Sequence, residues 1–298
     1  MSRVKKIPKR GVSAYSYHGE YGITKNLEDI LEEMQDIGAY GLEILGNSHI
    51  DGYPEITDKW FEDWNRMIEK YNIVPVEYGH WVDSRLFEGR ELTVEESVKA
   101  LERDFKIANK LGFKILRTKL GVIDDELTPV KNWREFIKAA LPLAEKYDVR
   151  MCPEIHSPTV LKSKMIDDYV EFIKETGTKY FGLNIDFSIF QTGDNSLVGF
   201  GPNDFVGPPC EHSKVEDIIP LLPYVYCCHA KFLKMDDNFN EVVIPYKEII
   251  EVLKEYEWDG YLLSEYEGPN SDVPGYTSDQ IRRHHVMLKR LLEGENLC

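Results

Sequence analysis

Four short apolar runs in the second half of the chain each end in a side chain that can hold a metal ion: Glu154 in RMCPEIH, Asp186 in FGLNID, His229 in VYCCHAK and Glu265 in YLLSE. The gaps between them are 32, 43 and 36 residues, each about the length of one strand, one helix and their loops. Each candidate ligand therefore closes a different strand, and parallel strands joined by helical crossovers would bring all four to one rim. Three carboxylates and one imidazole form an O,O,O,N donor set. Such a set suits a hard or borderline dication, Mn2+ first and Mg2+ or Co2+ next, better than a structural zinc. Without an ion the carboxylates repel one another, so the electrostatics call for one divalent cation.

The neighbours of these four add chemistry. Residues two apart on a strand share a face, so His156 points with Glu154, Lys231 with His229, and Glu267 with Glu265. A neutral imidazole has a pKa suited to taking a proton near neutral pH, which makes His156 the first candidate base; His80, in YGHW after the third strand, is the second. Lys231 could polarise a carbonyl or pair with a ligating acid. Glu43 closes the second strand, where it could meet a substrate hydroxyl or a salt-bridge partner. Tyr15, Tyr17, Tyr78 and Trp81 fall near strand ends and could wall a substrate site or simply pack. His18, His49 and His212 receive no role, and His284 and His285, on the last helix, read as structural.

The elements that must position these residues follow from apolar periodicity, which switches between 2 and 3.6 along the whole chain. Strands are predicted at 11–17, 39–45, 72–78, 113–119, 149–155, 180–186, 224–230 and 260–266. Between them run helical stripes. One follows Thr24 (Leu27 to Ile37), one follows Thr57 (Trp60 to Tyr71), and a third opens on the capping box Thr93–Glu96 and stops at Gly112. Further stripes cover 136–147, where Pro142 should interrupt the helix, 166–173, 215–222, 249–256 and 281–292. Strict β-then-α alternation carried eight times predicts a single α/β domain over 1–298, a (β/α)8 TIM barrel, with active-site residues at the C-terminal strand ends. A doubly wound open sheet is the alternative, weakened by the lack of GxGxxG or GxxxxGK[ST] after the first strand. The Gly-, Pro- and Asn-rich stretch 187–212, just after Asp186, reads as a long loop over the rim.

Composition narrows the classes. A chain of 298 residues with 42 % hydrophobic content can bury a large core, and its net charge of −16 argues against nucleic acid as a partner. The basic block MSRVKKIPKR, residues 1–10, carries five Lys/Arg and reads as a solvated tail; without it the body stands at −21. No run approaches the ~20 apolar residues of a spanning helix, so no membrane is expected. Five cysteines without paired spacing (Cys152, Cys210, Cys227, Cys228, Cys298) suggest free thiols and a reducing cytoplasm.

With PEIH, NID, CCHAK and LLSE in place, the chain resembles the xylose isomerase-like, sugar phosphate isomerase/epimerase barrels over nearly its full length. The resemblance implies that Glu154, Asp186, His229 and Glu265 bind one ion, commonly Mn2+, that holds adjacent oxygens of a sugar. The ketose 3-epimerases of that superfamily carry a further Glu, His and Arg where this chain has Val160, Ile189 and Met235. The segments LEILGNSHIDGYPE, YGHWVDSR and PEIHSP are similar to the large subunit of bacterial C-glycoside deglycosidases. That narrower resemblance implies cleavage of the carbon–carbon bond between a 3-oxo-sugar and an aromatic aglycone, by C2 proton abstraction and elimination, with a small β-sandwich partner subunit in a hetero-oligomer. The alternative is a sugar or cyclitol isomerase or epimerase working through an enediolate.

Overall fold

Along several strands an apolar inward residue is followed by a polar one, and this pattern organises the molecule. The computed structural model describes residues 6–79, 90–118, 120, 127–192, 195–199 and 211–294. His80, Trp81, residues 1–5 and much of the 187–212 stretch (193–194 and 200–210) lie outside the described residues. The strands are β1 Lys9–Ser13, β2 Gly41–Leu45, β3 Val74–Gly79, β4 Ile115–Arg117, β5 Arg150–Cys152, β6 Glu154–Ile155, β7 Leu183–Asp186, β8 Val225–Phe232 and β9 Tyr261–Tyr266. All pairs are parallel, in the order β5-β4-β3-β2-β1-β9-β8-β7-β6. Strands β5 and β6 are two halves of one stave, broken at Pro153, which has no N–H to give to the ladder. The ring closes there: Met151 bonds Tyr180 and Gly182 on the β7 side while Arg117 pairs Cys152 on the β4 side. The eight predicted strands thus form the expected (β/α)8 barrel.

Helices α1 Leu27–Asp36, α3 Asp58–Tyr71, α4 Val94–Leu111, α5 Trp133–Tyr147, α6 Lys164–Thr176, α7 Tyr246–Glu255 and α8 Tyr276–Glu293 surround the strands, with a single turn α2 at Gly46–His49. Their buried stripes and the outward faces of the strands make the main core. The capping box Thr93–Glu96 and the left-handed Gly112 bound α4 as expected, and Thr57 caps α3.

Several boundaries moved for identifiable reasons. Helix α1 starts on Asn26, which forms its own capping box with Asp29, while Thr24 donates to Glu20 instead. Helix α5 runs through Pro142 without a break in its assignment. Residues Val215–Tyr224 form a 3-10 helix, since Pro220 and Pro223 remove two helical donors. Strand β1 ends at Ser13, and Ala14–Tyr17 is a 3-10 turn, which undoes the strand alternation assumed for Tyr15 and Tyr17. The long stretch after Asp186 opens with another buried 3-10 turn, Phe187–Phe190. Among the described residues no helix is long and apolar enough to cross a membrane. Cys152, Cys227 and Cys228 are buried free thiols.

Candidate metal centre

Inside the barrel the N-terminal level is apolar: Val76, Ile115, Cys152, Cys227 and Leu263 form a separate small core. Two residues after Ile115, Cys152, Cys227 and Leu263 the same inward faces become polar, with Arg117, Glu154, His229 and Glu265. A register irregularity between β2 and β3, at Leu42/Glu43, aligns Glu43 with Glu77, and both side chains turn inward. Period-2 alternation therefore builds a charged cluster on an apolar floor.

His229 stands at the centre of this cluster, fully buried, with acids at both ring nitrogens. On one edge Nδ1 lies 2.9 Å from Glu154 Oε1, 2.9 Å from Glu265 Oε2 and 4.0 Å from Asp186 Oδ2. On the other edge Nε2 lies 3.1 Å from Glu77 and 3.3 Å from Glu43. The four residues expected to hold a metal present ligand atoms within 4.8 Å of one another. A cation fits this set on two grounds. Asp186 Oδ1 accepts the Ser188 amide, but Asp186 Oδ2 and Glu265 Oε2 are buried without a well-aligned hydrogen bond, met only by the ion-pair contacts of Lys231 and, for Glu265, of the His229 ring. Buried acceptors in that condition are costly unless a positive charge meets them, and hard oxygen donors plus one imidazole suit a divalent ion. Manganese is one of several ions this donor chemistry admits.

Two fixed cations share the load. Arg117 Nη1 donates to Glu154 Oε2 at 2.7 Å, and its Nε lies 3.1 Å from Glu43 Oε1. Lys231 Nζ lies 2.6 Å from Glu267, 3.3 Å from Glu265 and 3.4 Å from Asp186. Burial would raise the Glu154 carboxyl, yet the Arg117 and His229 charges overcome it and hold Glu154 well below the usual range. Glu265 is held down against burial by Lys231 and His229. Asp186 goes the other way, to about 7, because burial and the charges of Glu265 and Glu154 outweigh Lys231. Burial also raises Glu77, partly offset by His229. Against its own desolvation, His229 is pushed well above the ordinary imidazole range by Glu265, Glu43 and Glu154.

The structure gathers some of the sequence-predicted residues and disperses others. Lys231 lies in the cluster, as above. His156, half-buried just beyond β6, is near enough to Glu154 to lower its pKa, and its Nδ1 sits 2.7 Å from the Ser157 carbonyl. A carbonyl only accepts, so Nδ1 carries a proton, and in the neutral ring the lone pair is on Nε2. Tyr15 reaches the rim, where its hydroxyl bonds Glu267; burial and that acid push it up to about 12. Tyr17 is not at the rim: it is fully buried and donates to Glu33 of α1. Tyr78 points outward, opposite to Glu77, and packs near Phe113 and Tyr53. Glu43 is fully buried against Arg117 and the Nε2 edge of His229, away from the ligand oxygens.

Three residues in the cluster were not singled out from the sequence. Arg117 and Glu77 are described above. Asn184 Nδ2 donates to the Glu77 carboxylate, and its Oδ1 accepts the His229 backbone N–H at 3.1 Å, which ties the ring's strand to its acid. The available signal was spacing: Glu43 and Glu77 lie 34 residues apart, like successive ligands later in the chain.

Comparison with known proteins gives a consistent background. Residues 31–290 match the model of a family described as xylose isomerase-like TIM barrel. A 3'-dehydrocarminate deglycosidase alpha subunit from Microbacterium sp is 24 % identical, with 96 % of this chain and 95 % of that protein aligned. A C-glycoside deglycosidase alpha subunit from Arthrobacter globiformis is 23 % identical, over 95 % of this chain and 92 % of that protein. Among solved structures, a D-psicose 3-epimerase aligns with a TM-score of 0.64 at 17 % identity, covering 96 % of this chain and 100 % of that one. A 3-keto-D-glucoside 4-epimerase from E. coli aligns with a TM-score of 0.58 at 13 % identity, covering 95 % and 99 %.

Proposed function

The chain belongs to the xylose isomerase-like TIM barrel family, and from that premise we propose that it is a divalent-metal-dependent enzyme of carbohydrates, the catalytic subunit of a C-glycoside deglycosidase acting on a 3-oxo-C-glycoside. The observation that carries this reading is the meeting of Glu154, Asp186, His229 and Glu265, whose ligand atoms lie within 4.8 Å of one another, with His156 beside them. The names of two relatives supply the substrate class. The alpha-subunit designation of those relatives supports a hetero-oligomer with another subunit, which the resemblance stated above would make a small β-sandwich.

Glu154, Asp186, His229 and Glu265 would hold the ion, most plausibly Mn2+ on the donor set. When bound, a dication polarises the carbonyl and neighbouring hydroxyl oxygens of the sugar as a Lewis acid. The remaining work falls to side chains. His156, with its lone pair on Nε2, takes the proton from C2, next to the 3-oxo group. His80 is the second candidate for this role. The electron pair left at C2 forms a C1–C2 double bond as the C1–aglycone bond breaks. The pair from that bond departs on the aglycone carbon, which then takes up a proton. Lys231 keeps a positive charge beside the ligating acids, and Tyr15 borders the same rim through Glu267. A groove of about 730 Å3 between the starts of α5 and α6 shares Pro129, Met165 and Tyr169 with a small cavity lined by Glu154 and His156. Its volume suits an aromatic aglycone.

The alternative, an isomerase or epimerase of free sugars or cyclitols, is favoured by the fold alone. Ile189 and Met235, where ketose 3-epimerases carry polar groups, are buried in the apolar core. The test is incubation of the Mn2+-loaded chain, with and without its small partner, with a 3-oxo-C-glucoside and separately with free ketoses. Release of aglycone that Glu154→Gln abolishes and His156→Ala slows by at least ~100-fold is the expected result. Interconversion of free ketoses by the chain alone, without aglycone release, would refute the assignment.

A further inference from the structure

All four residues read as ligands come from one half of the ring, β6 to β9, while the acid bonded to the far edge of His229 comes from β3, across the barrel. His229 Nε2 lies 3.1 Å from Glu77 Oε2, in hydrogen-bonding geometry. Glu43 Oε2 lies 3.3 Å from the same nitrogen, but neither Glu43 oxygen has an aligned hydrogen bond, so the ring N–H is directed at Glu77. Glu77 is fixed in turn. Asn184 Nδ2 donates to its Oε1 and Oε2 at 3.3 and 3.2 Å, and Asn184 Oδ1 accepts the His229 backbone N–H at 3.1 Å. These bonds close a cycle through β3, β7 and β8, and all three side chains are fully buried. In the dry interior such a cycle is stable only when every member is satisfied.

The cycle has a chemical requirement. The ring N–H and the backbone N–H of His229 both donate, so the pair of side chains between them must accept at each end and still bond to each other. One acid and one amide meet that requirement. Two amides would set donor against donor, and two acids acceptor against acceptor. We propose that Glu77 and Asn184 form a clamp that holds the His229 ring with its proton on Nε2 and Nδ1 aimed at Glu154, Asp186 and Glu265, so that the nitrogen offered to the ion is set in advance. This rests on the reading that these three acids and His229 hold a dication. A ligating imidazole carries one proton, so an acceptor fixed at one nitrogen leaves the other for the metal. Glu77 supplies that acceptor from the wall opposite His229. Asn184 keeps the carboxylate from turning away and ties it to the backbone that carries the ring. Both act through His229 and are positioning residues.

The test exchanges acid and amide. The chain is stripped with EDTA, dialysed and titrated with Mn2+, with electron paramagnetic resonance reporting the free ion. Glu77→Gln sets two amides face to face and should weaken Mn2+ binding about 10–100-fold. Glu77→Gln/Asn184→Asp puts one acid and one amide back in exchanged places, remakes every bond of the cycle and should recover most of that loss. Wild-type affinity in Glu77→Gln overturns the proposal, as does a double variant that binds Mn2+ no better than Glu77→Gln. A second measurement needs no variant and so stands whether or not Glu77→Gln folds. In the wild type, labelled with 15N-histidine and loaded with diamagnetic Mg2+, the ring-nitrogen shifts should place the His229 proton on Nε2. A proton on Nδ1 overturns the clamp while leaving the ion in place. If the wild type takes up neither Mn2+ nor Mg2+, the metal reading itself fails, and the clamp with it.

Discussion

Two histidines on α8 offer a quantitative check on how the barrel holds the strand of Glu265. Ser264 precedes that ligand, and its Oγ lies 2.9 Å from His284 Nδ1 and 3.0 Å from His285 Nε2. Arg10 Nη1 lies 3.3 Å from His285 Nδ1. Arginine only donates, so His285 accepts at Nδ1, donates from Nε2 to Ser264, and Ser264 donates to His284. Both rings must then be neutral. Burial, with Arg10 adding to it, pushes His285 down to about 3, and burial with the neighbouring His285 pushes His284 well below its ordinary value. Below pH ~6.5 the unfolded chain binds a proton at position 285 that the folded chain refuses, so stability falls with falling pH until the folded pKa is reached. The slope is half of ~1.4 kcal/mol per pH unit at pH 6.5 and approaches that value below it, giving about 2.3 kcal/mol between pH 6.5 and 4.5. Asp186 and Glu241, both raised to about 7, act in the opposite sense, since the folded state keeps protons that the unfolded state releases. The lowered carboxyls of Glu154 and Glu265 contribute below this window. These terms are common to wild type and His285→Gln, so they cancel in the difference. In urea unfolding with EDTA, His285→Gln should be less stable by about 1–2 kcal/mol at pH 6.5 through the disturbed bond to Ser264. The gap should close and reverse by pH 4.5. Parallel stability profiles across that range would refute a neutral, buried His285.

Lys231→Met leaves Asp186, Glu265 and Glu267 without their shared ammonium and should cost about 3–5 kcal/mol in the metal-free chain. Thermal melts in EDTA would register this as a drop of several degrees, which saturating Mn2+ should partly reverse; an unchanged melting point in EDTA would contradict it. Thr93→Ala removes the side-chain half of the α4 capping box and should cost about 1 kcal/mol in urea titration. At Gly268, just past Glu267, an added Cβ would lie 1.8 Å from the Leu233 carbonyl oxygen. Gly268→Ala must shift backbone at the rim and should cost at least ~1–3 kcal/mol, read as a lowered urea midpoint with an unchanged slope.

The site was legible wherever the strand period alone decided the outcome. His229, Lys231 and Glu265 sit on uninterrupted alternating runs, Glu154 keeps the alternation across the break at Pro153, and Asp186 shares the inward face of Asn184 two residues before it. Of the two alternatives for Tyr17 the structure takes packing, because β1 ends at Ser13 and a 3-10 turn, with about three residues per turn, rotates Tyr15 and Tyr17 to different sides. Only Tyr15 then meets Glu267. Tyr78 packs for the complementary reason. Adjacent residues on a strand point oppositely, so with Glu77 inside, Tyr78 has to face the helices, and the β2–β3 register irregularity that aligns Glu77 with Glu43 leaves no mark in composition. Arg117 was harder still. It occupies the inward position two residues after Ile115, but a cation on the inner face gains meaning only when the number of acids around it is known. Counting those acids requires the barrel to be closed. Four metal-capable residues demand an ion when considered in isolation; Glu43, Glu77 and Glu267 add further negative charge, while Arg117 and Lys231 remove part of it. The strand period therefore identifies where an ion could sit, whereas the net charge it would meet there depends on side chains brought together by ring closure.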